Sequence, residues 1–192
     1  MISTDQVKEL RDKTGISIMQ CRKALEEAGG DMGKAQIILQ KQSKAVAEKK
    51  SDRELNAGVI QAYIHSNGSV GAMLELTCET DFVSKNEEFK NLAYDLAMQV
   101  AATNPKYLSK EDISQEAKKE AAEVFSKEVA DKPDELKEKI LSGKLDAFFA
   151  EQILLEQPFI KNPDIKIVGL IESAVQKFGE KIRISRFSRF SI

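Results

Sequence analysis

Residues 57–79, AGVIQAYIHSNGSVGAMLELTCE, carry the pattern that decides the fold. Two runs with the alternation of β-strands, 57–66 and 69–79, flank the dipeptide Asn67-Gly68. Because Asn-Gly supplies the positive φ angles of a tight two-residue turn, we predict a β-hairpin. One face of the second strand should lie in the core and the other should contact water. The predicted core face comprises Val70, Ala72, Leu74, Leu76 and Cys78, and the wet face comprises Met73, Glu75, Thr77 and Glu79.

The C-terminal segment KIRISRFSRF, residues 181–190, alternates in the same way through Ile182 and Ile184. We therefore predict that it returns to the hairpin as a third strand. A helix closed by Gly179 precedes it, since apolar residues recur there at helical spacing. These residues are Val168, Ile171, Val175 and Phe178. A small antiparallel sheet of about three strands, covered by helices on one face, places the chain in the α+β class.

The hairpin is followed by an amphipathic helix after Asn86, which Asn104-Pro105 should stop. Its apolar face consists of Phe89, Leu92, Ala93, Leu96, Ala97, Val100 and Ala101. Ser109 with Asp112 predicts the start of another helix that reaches about Asp131. Pro133 should open one more, which Gly143 should break, and Pro158 and Pro163 should bracket a short extended connection.

The first fifty residues have the start signals of three short helices. Ser3 with Gln6, and Ser17 with Gln20, fit the capping box. Gly29-Gly30 should end the second helix, and Asp31 should cap the third. A tiny core is expected from Val7, Leu10, Ile18, Leu25, Ile38 and Leu39.

The chain should therefore divide into a small helical module and a larger domain. From Lys41 to Asn56 the sequence turns polar, so we expect the third helix to give way to a linker. We place a three-helix N-terminal module at residues 1–50, the linker at 51–56 and an α+β core domain at 57–192.

Composition excludes several classes of function. The 192 residues contain 29 Lys and Arg against 31 Asp and Glu, so no overall charge attracts phosphate backbones or anionic lipid. No apolar run approaches the roughly 18 residues of a membrane span, and no signal segment is apparent, so we expect a cytoplasmic protein. Cys21 and Cys78 have no Cys or His at metal spacing, so we expect free, half-buried thiols and neither metal nor cofactor.

Four segments of the chain, taken in order, resemble the signature blocks of the elongation factor Ts family. They are KELRDKTGISIMQCRKALEEAGGDMGKA at 8–35, LELTCETDFVSKNEEFKNLA at 74–93, AEQILLEQPFIKNP at 150–163 and KFGEKIRISRFSRF at 177–190. The resemblance implies a ubiquitin-associated-like N-terminal module that contacts the nucleotide domain of elongation factor Tu, and a core that contacts another of its domains. It implies a guanine-nucleotide exchange factor in protein biosynthesis, which performs no bond chemistry and is not an enzyme.

The same resemblance assigns the candidate site residues. The segment Thr80, Asp81, Phe82 and Val83 should enter elongation factor Tu near its nucleotide and Mg²⁺ site. On the N-terminal module, the expected partner contacts are Leu10, Arg11, Thr14 and Gly15. By pattern alone Phe82 would be an ordinary core residue at a strand end, and Asp81 a turn carboxylate. The resemblance instead implies that Phe82 is exposed.

The resemblance also bears on the oligomeric state. Only one Thr-Asp-Phe-Val block and one C-terminal strand block occur, as in the short, single-core form of the family. That form implies a homodimer in which two copies act on two elongation factor Tu molecules. No cysteine lies near the C-terminus, so the dimer would be non-covalent.

Two other interpretations compete with the resemblance. The C-terminal strand interleaves bases with aromatics as single-strand RNA platforms do, through Arg183, Arg186, Phe187, Arg189 and Phe190. The patch is brief and the chain slightly acidic, so we expect no direct nucleic-acid binding. A generic scaffold would leave the Thr-Asp-Phe-Val block unexplained. Catalysis by Glu75, Glu79 and Asp81 is not favoured, because alternation on a polar strand face explains them.

Overall fold

The predicted hairpin and third strand form one antiparallel sheet in the computed structural model, which describes residues 2–129 and 133–192 without the side chains of residues 134 and 135. The sheet has the order β1 (Ala57–Ile64), β2 (Val70–Cys78) and β5 (Ile182–Ser191). Ala57 pairs with Cys78, and Cys78 pairs with Ile182, with a register shift between Glu75 and Leu76. The prediction of an α+β fold with a small three-stranded sheet is confirmed.

Eight α-helices and a two-stranded ribbon complete the described part of the chain. The helices are α1 (Thr4–Thr14), α2 (Ile18–Glu27), α3 (Met32–Lys49), α4 (Asp81–Ser84), α5 (Glu87–Thr103), α6 (Gln115–Glu128), α7 (Asp134–Ala150) and α8 (Ile167–Phe178). The ribbon pairs β3 (Pro158–Phe159) with β4 (Asn162–Lys166). The chain forms two compact units: residues up to Ala101 together with Val168–Ile192, and Ala102–Ile167.

The hairpin loop differs from the predicted two-residue turn. Of its residues only Gly68 has a positive φ, at 70°, and Asn67 does not. The amide of Gly68 donates to the carbonyl of His65 at 2.8 Å, and the amide of His65 donates to Val70 at 2.8 Å. Asn67 instead accepts the Ser69 amide with its side chain at 3.1 Å. The loop is therefore longer, and only its glycine needs the left-handed conformation.

One sheet face is buried as the alternation predicts. The buried residues are Ala72, Leu74, Leu76 and Cys78 on β2 and Ile182 and Ile184 on β5. Helix α5 buries its predicted face and ends before Asn104, whose φ of 50° and following proline stop the helix. The rings of Phe89 on α5 and Phe178 on α8 meet edge to face, with centroids 5.9 Å apart.

The three N-terminal helices begin where their caps predict. Ser3 and Gln6 form a complete capping box, and Asp31 accepts the Lys34 amide at 3.0 Å. Ser17 accepts the Gln20 amide, but its hydroxyl donates to the Gln20 side chain, so only one half of that box forms. The core of this bundle comprises Val7, Leu10, Ile16, Cys21, Ala24, Leu25, Ala35 and Leu39.

The prediction that Ile18 lies in this core is wrong. Its side chain is 57% exposed, and Ile16, before the helix starts, is buried in the bundle instead. Ser17 is the N-cap of α2, so Ile18 occupies the first helical position. Ile18 has the spacing of the inward-facing Cys21 and Leu25, but it lies in the first turn of α2, and the buried Ile16 occupies the core at that end of the bundle.

Helix α3 continues through the polar stretch after Lys41, where Lys, Gln, Ala and Glu favour helix. Ser43 is buried and its hydroxyl bonds to the Gln176 side chain on α8. Lys181 donates its ammonium to the carbonyls of Ser51 and Arg53 at 2.5 and 2.7 Å. Residues after α3 are thus held by side-chain hydrogen bonds, and the proposed boundaries at residues 50 and 56 stay a prediction.

The unit Ala102–Ile167 corrects two sequence predictions. Ser109 caps only a 3₁₀ turn over Lys110–Asp112, because Ile113 is extended, and α6 begins one residue after its own cap, Ser114. The predicted end near Asp131 lies outside the described residues.

Helix α7 starts after Pro133 as predicted but runs through Gly143 to Ala150. A helical glycine costs only about 1 kcal/mol, which buried Phe149 and half-buried Leu145 beyond it can offset. The extended segment between Pro158 and Pro163 takes the form of the β3–β4 ribbon. No described helix is long and apolar enough to span a bilayer.

Candidate partner interface

The segment Thr80–Val83, here called the corner segment, lies where β2 turns into a single helical turn. Thr80 is extended, with φ −128° and ψ 160°, and α4 follows it directly. The turn is closed by the Ser84 amide donating to the Thr80 carbonyl at 3.3 Å and the Lys85 amide donating to Asp81 at 3.1 Å. Val83 and Ser84 are buried, so they attach the turn to the adjacent strands β1 and β2.

Phe82 points the other way and is 86% exposed. The pattern alone predicts a core residue here, whereas the resemblance implies exposure, and the structure has the ring exposed. The apolar surface of this large ring is in contact with water, although the next two residues are buried. Binding to a protein partner can remove that surface from water. The corner segment therefore has the geometry of a projecting contact.

Asp81 carries a charged side chain next to this ring. Its carboxylate pairs with the Lys85 ammonium at 2.5 Å, one helical turn further on. The hydrogen bond from Lys85 and its positive charge lower the pKa of Asp81, so the carboxylate is ionised at neutral pH. Since both partners are exposed, the pair is weak and leaves Asp81 available to another cation.

The base of the corner segment is held by residues from the start of β5. Glu180 accepts the Thr80 amide at 3.0 Å, and its other oxygen accepts the Thr80 hydroxyl. Glu79 accepts the Lys181 amide at 2.5 Å and pairs with Arg53 at 3.0 Å. Burial raises the pKa of Glu79, but these hydrogen bonds and the Arg53 charge together outweigh it, so the pKa is lowered. Sequence reasoning missed Glu180, because no local pattern connects it to Thr80.

Cys78 is a buried free thiol at the end of β2, fully rather than half buried. Burial, and then the negative charge of Glu180, raise the pKa of Cys78 to about 11. The thiol therefore stays protonated at neutral pH and donates to the Thr80 carbonyl at 3.2 Å. It is a structural group. Cys21 is likewise buried and free, and the described residues contain no cluster that could hold a metal.

The predicted contact residues of the N-terminal module divide into two kinds. Arg11 and Gly15 are exposed, and Gly15 ends α1 with φ 69° and an amide that donates to Arg11 at 2.7 Å. Leu10 has no exposed surface, and the half-buried Thr14 donates its hydroxyl to the Leu10 carbonyl at 2.7 Å. Leu10 therefore supports the α1–α2 turn from inside the bundle, and Thr14 keeps part of its side chain at the surface.

Three exposed apolar residues on the same module escaped the sequence reasoning: Ile18, Met19 and Ile37. Ile18 was assigned to the core because its spacing fits a helical period, so periodicity gave the wrong signal there. Met19 and Ile37 carry no motif that marks them as exposed.

The basic and aromatic residues of β5 do not share a surface. Arg183, Arg186 and Phe190 are exposed, and Arg186 pairs with Glu75 at 2.6 Å on the outer face. Phe187 is half-buried opposite the buried Leu74, and Arg189 donates to the Ala101 carbonyl at 3.0 Å. Splitting the set between two faces leaves no continuous stacking platform on this strand.

The outer face of the sheet is predicted to be polar, but near the hairpin loop it carries several exposed apolar residues. Exposed apolar residues there surround a depression of about 520 Å³. This surface, here called the apolar sheet face, includes Ala62, Ile64, Met73, Phe190 and Ile192. Ile64 and Phe190 are more than half exposed. The polar residues Glu75 and Thr77 lie toward the other end of β2.

Comparison with known proteins covers the whole chain. The family model described as Elongation factor TS matches residues 43–192. Elongation factor Ts of Thermodesulfovibrio yellowstonii is 51% identical over 192 residues, covering all of this chain and 96% of the relative. Those of Thermotoga maritima and Carboxydothermus hydrogenoformans are 48% and 47% identical, covering all of this chain and 96% and 89% of the relatives. The chain therefore belongs to the elongation factor Ts family.

Proposed function

We propose that this protein, a translation elongation factor by its family, is a guanine-nucleotide exchange factor. It binds elongation factor Tu in the GDP-bound state, promotes GDP release and so allows GTP to load. The observation that carries the proposal is the exposed ring of Phe82, which is 86% accessible on the single helical turn after β2. The family supplies the identity of the partner.

Exchange by such a projecting ring follows from differential binding. Burying an aromatic side chain contributes about 1.5 to 3 kcal/mol. If the receiving pocket exists only when the elements around the nucleotide have moved, that free energy favours the moved state. By linkage, if the factor lowers the affinity of elongation factor Tu for GDP, then bound GDP lowers its affinity for the factor by the same ratio. No covalent bond is made or broken, so the protein acts without being an enzyme.

Asp81 adds a negative charge beside the ring. Its ionised carboxylate lies at the exposed end of α4 and forms a weak ion pair with Lys85. A carboxylate brought near a bound Mg²⁺ competes with the existing ligands for the metal, and Mg²⁺ in turn supports GDP binding. We assign Thr80 and Val83 to the support of Asp81 and Phe82, because Val83 is buried and Thr80 is bonded at its backbone.

The N-terminal module supplies a second contact, with the nucleotide domain of the partner. Arg11 and Gly15 are its exposed candidates, and Leu10 and Thr14 hold the turn that presents them. We keep the division into a ubiquitin-associated-like module at 1–50, a linker at 51–56 and a core at 57–192. The core would contact another domain of elongation factor Tu.

The protein acts as a non-covalent homodimer in the cytoplasm. The apolar sheet face supports this, because a two-fold contact needs one patch that complements itself. Burying Ile64, Met73 and Phe190 against a second copy would remove exposed apolar surface from water. The partition of the β5 bases between two faces supports the absence of direct nucleic-acid binding.

The test is the release of fluorescent GDP from the cognate elongation factor Tu. The protein is added at a small fraction of the partner concentration, with excess unlabelled GDP. We expect accelerated release with many turnovers per molecule of the added protein. Spontaneous release rates in the presence of a folded sample would contradict the exchange function.

A further inference from the structure

The regular ladder between β2 and β5 ends at Cys78, two residues before Thr80. Beyond it, side-chain carboxylates take the place of backbone carbonyls. Glu79 accepts the backbone amide of Lys181 at 2.5 Å, and Glu180 accepts the backbone amide of Thr80 at 3.0 Å. Each strand end thus supplies the acceptor for the backbone of the other, and the pairing continues to the foot of the corner segment.

Glu180 holds Thr80 through two groups, since its second oxygen accepts the Thr80 hydroxyl. Hydrogen bonds to a carboxylate are roughly twice as strong as those between neutral groups, and two on one residue also fix direction. We propose that Glu180 is a positioning residue for nucleotide exchange, which fixes Thr80 and thereby the direction in which Phe82 leaves the surface. The proposal rests on the exchange function given above.

The corner segment needs such a support because its own structure is short. Helix α4 has 4 residues, far below the length at which a helix is stable by itself. Its buried attachments are Val83 and Ser84, both on the C-terminal side of Phe82. On the N-terminal side, the extended backbone of Thr80 is the point that must stay fixed, and Glu180 binds there.

Glu180 is itself placed by a well-defined element. It follows Gly179, whose φ of 72° ends α8 and whose amide donates to the Val175 carbonyl at 2.9 Å. Directly after it the Lys181 amide is bonded to Glu79. Glu180 therefore lies between the end of α8 and the start of β5, with the backbone amides on both sides of it hydrogen-bonded.

Loss of the hydrogen bonds between Glu180 and Thr80 lowers the fraction of molecules in which the Phe82 ring has the orientation that the partner binds. A partner that accepts only that direction then meets fewer competent molecules, and apparent affinity and rate fall in proportion. Glu180 need not touch the partner for this effect. Substituting it should therefore slow exchange without unfolding the domain.

The first experiment compares GDP release by four forms of the full-length protein: wild type, Glu180→Ala, Glu180→Gln and Thr80→Val. We expect at least about fivefold slower release with Glu180→Ala and Thr80→Val. Glu180→Gln should stay within about twofold of wild type, since its amide can accept the Thr80 amide and donate to the hydroxyl. Glu156→Ala, which removes a carboxylate paired with Lys166 at 2.8 Å in the other unit, should leave exchange unchanged. Circular dichroism and thermal unfolding establish that each variant is folded.

The second experiment measures position directly and needs no partner. The chain contains no tryptophan, so Phe82→Trp places a single indole at the corner segment. We expect its steady-state fluorescence anisotropy to fall when Glu180→Ala is added and to recover with Glu180→Gln. A purely global stabilising role would leave the anisotropy of the folded protein unchanged.

The two readouts separate the possible failures. Unchanged anisotropy and unchanged exchange in Glu180→Ala would overturn the positioning role. Lower anisotropy with unchanged exchange would show that Glu180 holds the segment but that the direction of Phe82 does not matter, which overturns the link to exchange. If the wild-type protein fails to accelerate release while anisotropy falls in Glu180→Ala, the proposed function is wrong and the anchoring by Glu180 stands.

Discussion

Two phenylalanines seven residues apart occupy opposite environments. Phe89, on α5, has no exposed surface and packs edge to face on Phe178. Phe82, on the one-turn helix α4, is 86% exposed. Phe89 is one of the apolar residues that recur at helical spacing on α5, whereas Phe82 lies in the corner segment next to the polar residues Thr80 and Asp81. Apolar residues that recur at helical spacing therefore stabilise the fold, whereas a large apolar residue that is exposed to water indicates a contact with a partner.

The largest expected effect lies on the buried side of this comparison. Phe89→Ala removes a fully buried ring and should lower the free energy of unfolding by about 3 to 5 kcal/mol. Chemical denaturation measures the loss. Phe82→Ala is the matched control and should change the free energy of unfolding by less than about 0.5 kcal/mol. Similar losses in the two variants would contradict the division of roles.

The second effect lies on the exposed side. Phe82→Ala should slow GDP release from elongation factor Tu by about tenfold or more, since it removes about 1.5 to 3 kcal/mol of contact with the displaced state. Stopped-flow release at saturating factor measures it. Val124→Ala is the control, because Val124 is also more than half exposed but lies on α6, away from the corner segment in sequence and from the apolar sheet face. Equal exchange by Phe82→Ala and wild type would contradict the role of the ring.

A third, smaller effect concerns the exposed apolar residues of the sheet, which we propose contact a second copy of the chain and not elongation factor Tu. Ile64→Lys places a charge in the apolar sheet face and should shift the protein from dimer to monomer, because an unpaired charge is costly to bury. Analytical ultracentrifugation measures the masses. Val124→Lys, at an exposed apolar residue of α6, should leave the dimer intact. A wild-type protein that is monomeric at all concentrations would contradict the dimer.

The smallest effect concerns the charge beside Phe82. The Lys85 ammonium holds the pKa of Asp81 in the folded protein below its ordinary value. Any stabilisation from the pair is therefore present at pH values above the pKa that Asp81 has in the unfolded chain. It is lost as the pH falls through the pKa that Asp81 has in the folded protein. Lys85→Met should raise the pKa of Asp81 toward the ordinary value, which carboxyl NMR titration detects. Lys90→Met, which removes a pair with Glu87, is the control. An unchanged titration in Lys85→Met would show that the pair does not persist in solution.

Local patterns predicted most of the fold. Alternation predicted the three strands, helical spacing predicted α5 and α8, and capping residues predicted the starts of α1 and α3. The failures arose where tertiary packing outweighed a local signal. Gly143 does not end α7, because flanking apolar residues pack in the unit. Ile18 shares the spacing of Cys21 and Leu25 but lies outside the bundle core, because Ile16 occupies the core at the start of α2.

The candidate site was only partly predictable. The Thr-Asp-Phe-Val block came from resemblance, since pattern alone favours a buried Phe82. The bonds from Glu180 to Thr80 join residues 100 positions apart, so nothing local in the sequence indicates them. The apolar sheet face was missed because its members come from β1, β2 and the end of β5, each contributing one or two residues. Such sites exist only once the strands are paired.

The role proposed for the exposed corner segment is to drive nucleotide exchange. Its most direct test is the release of fluorescent GDP from elongation factor Tu by limiting amounts of wild type and of the double variant Asp81→Ala with Phe82→Ala, both shown to be folded. We expect turnover by wild type and near-spontaneous release with the double variant. Equal turnover by the two proteins would contradict the role of the corner segment.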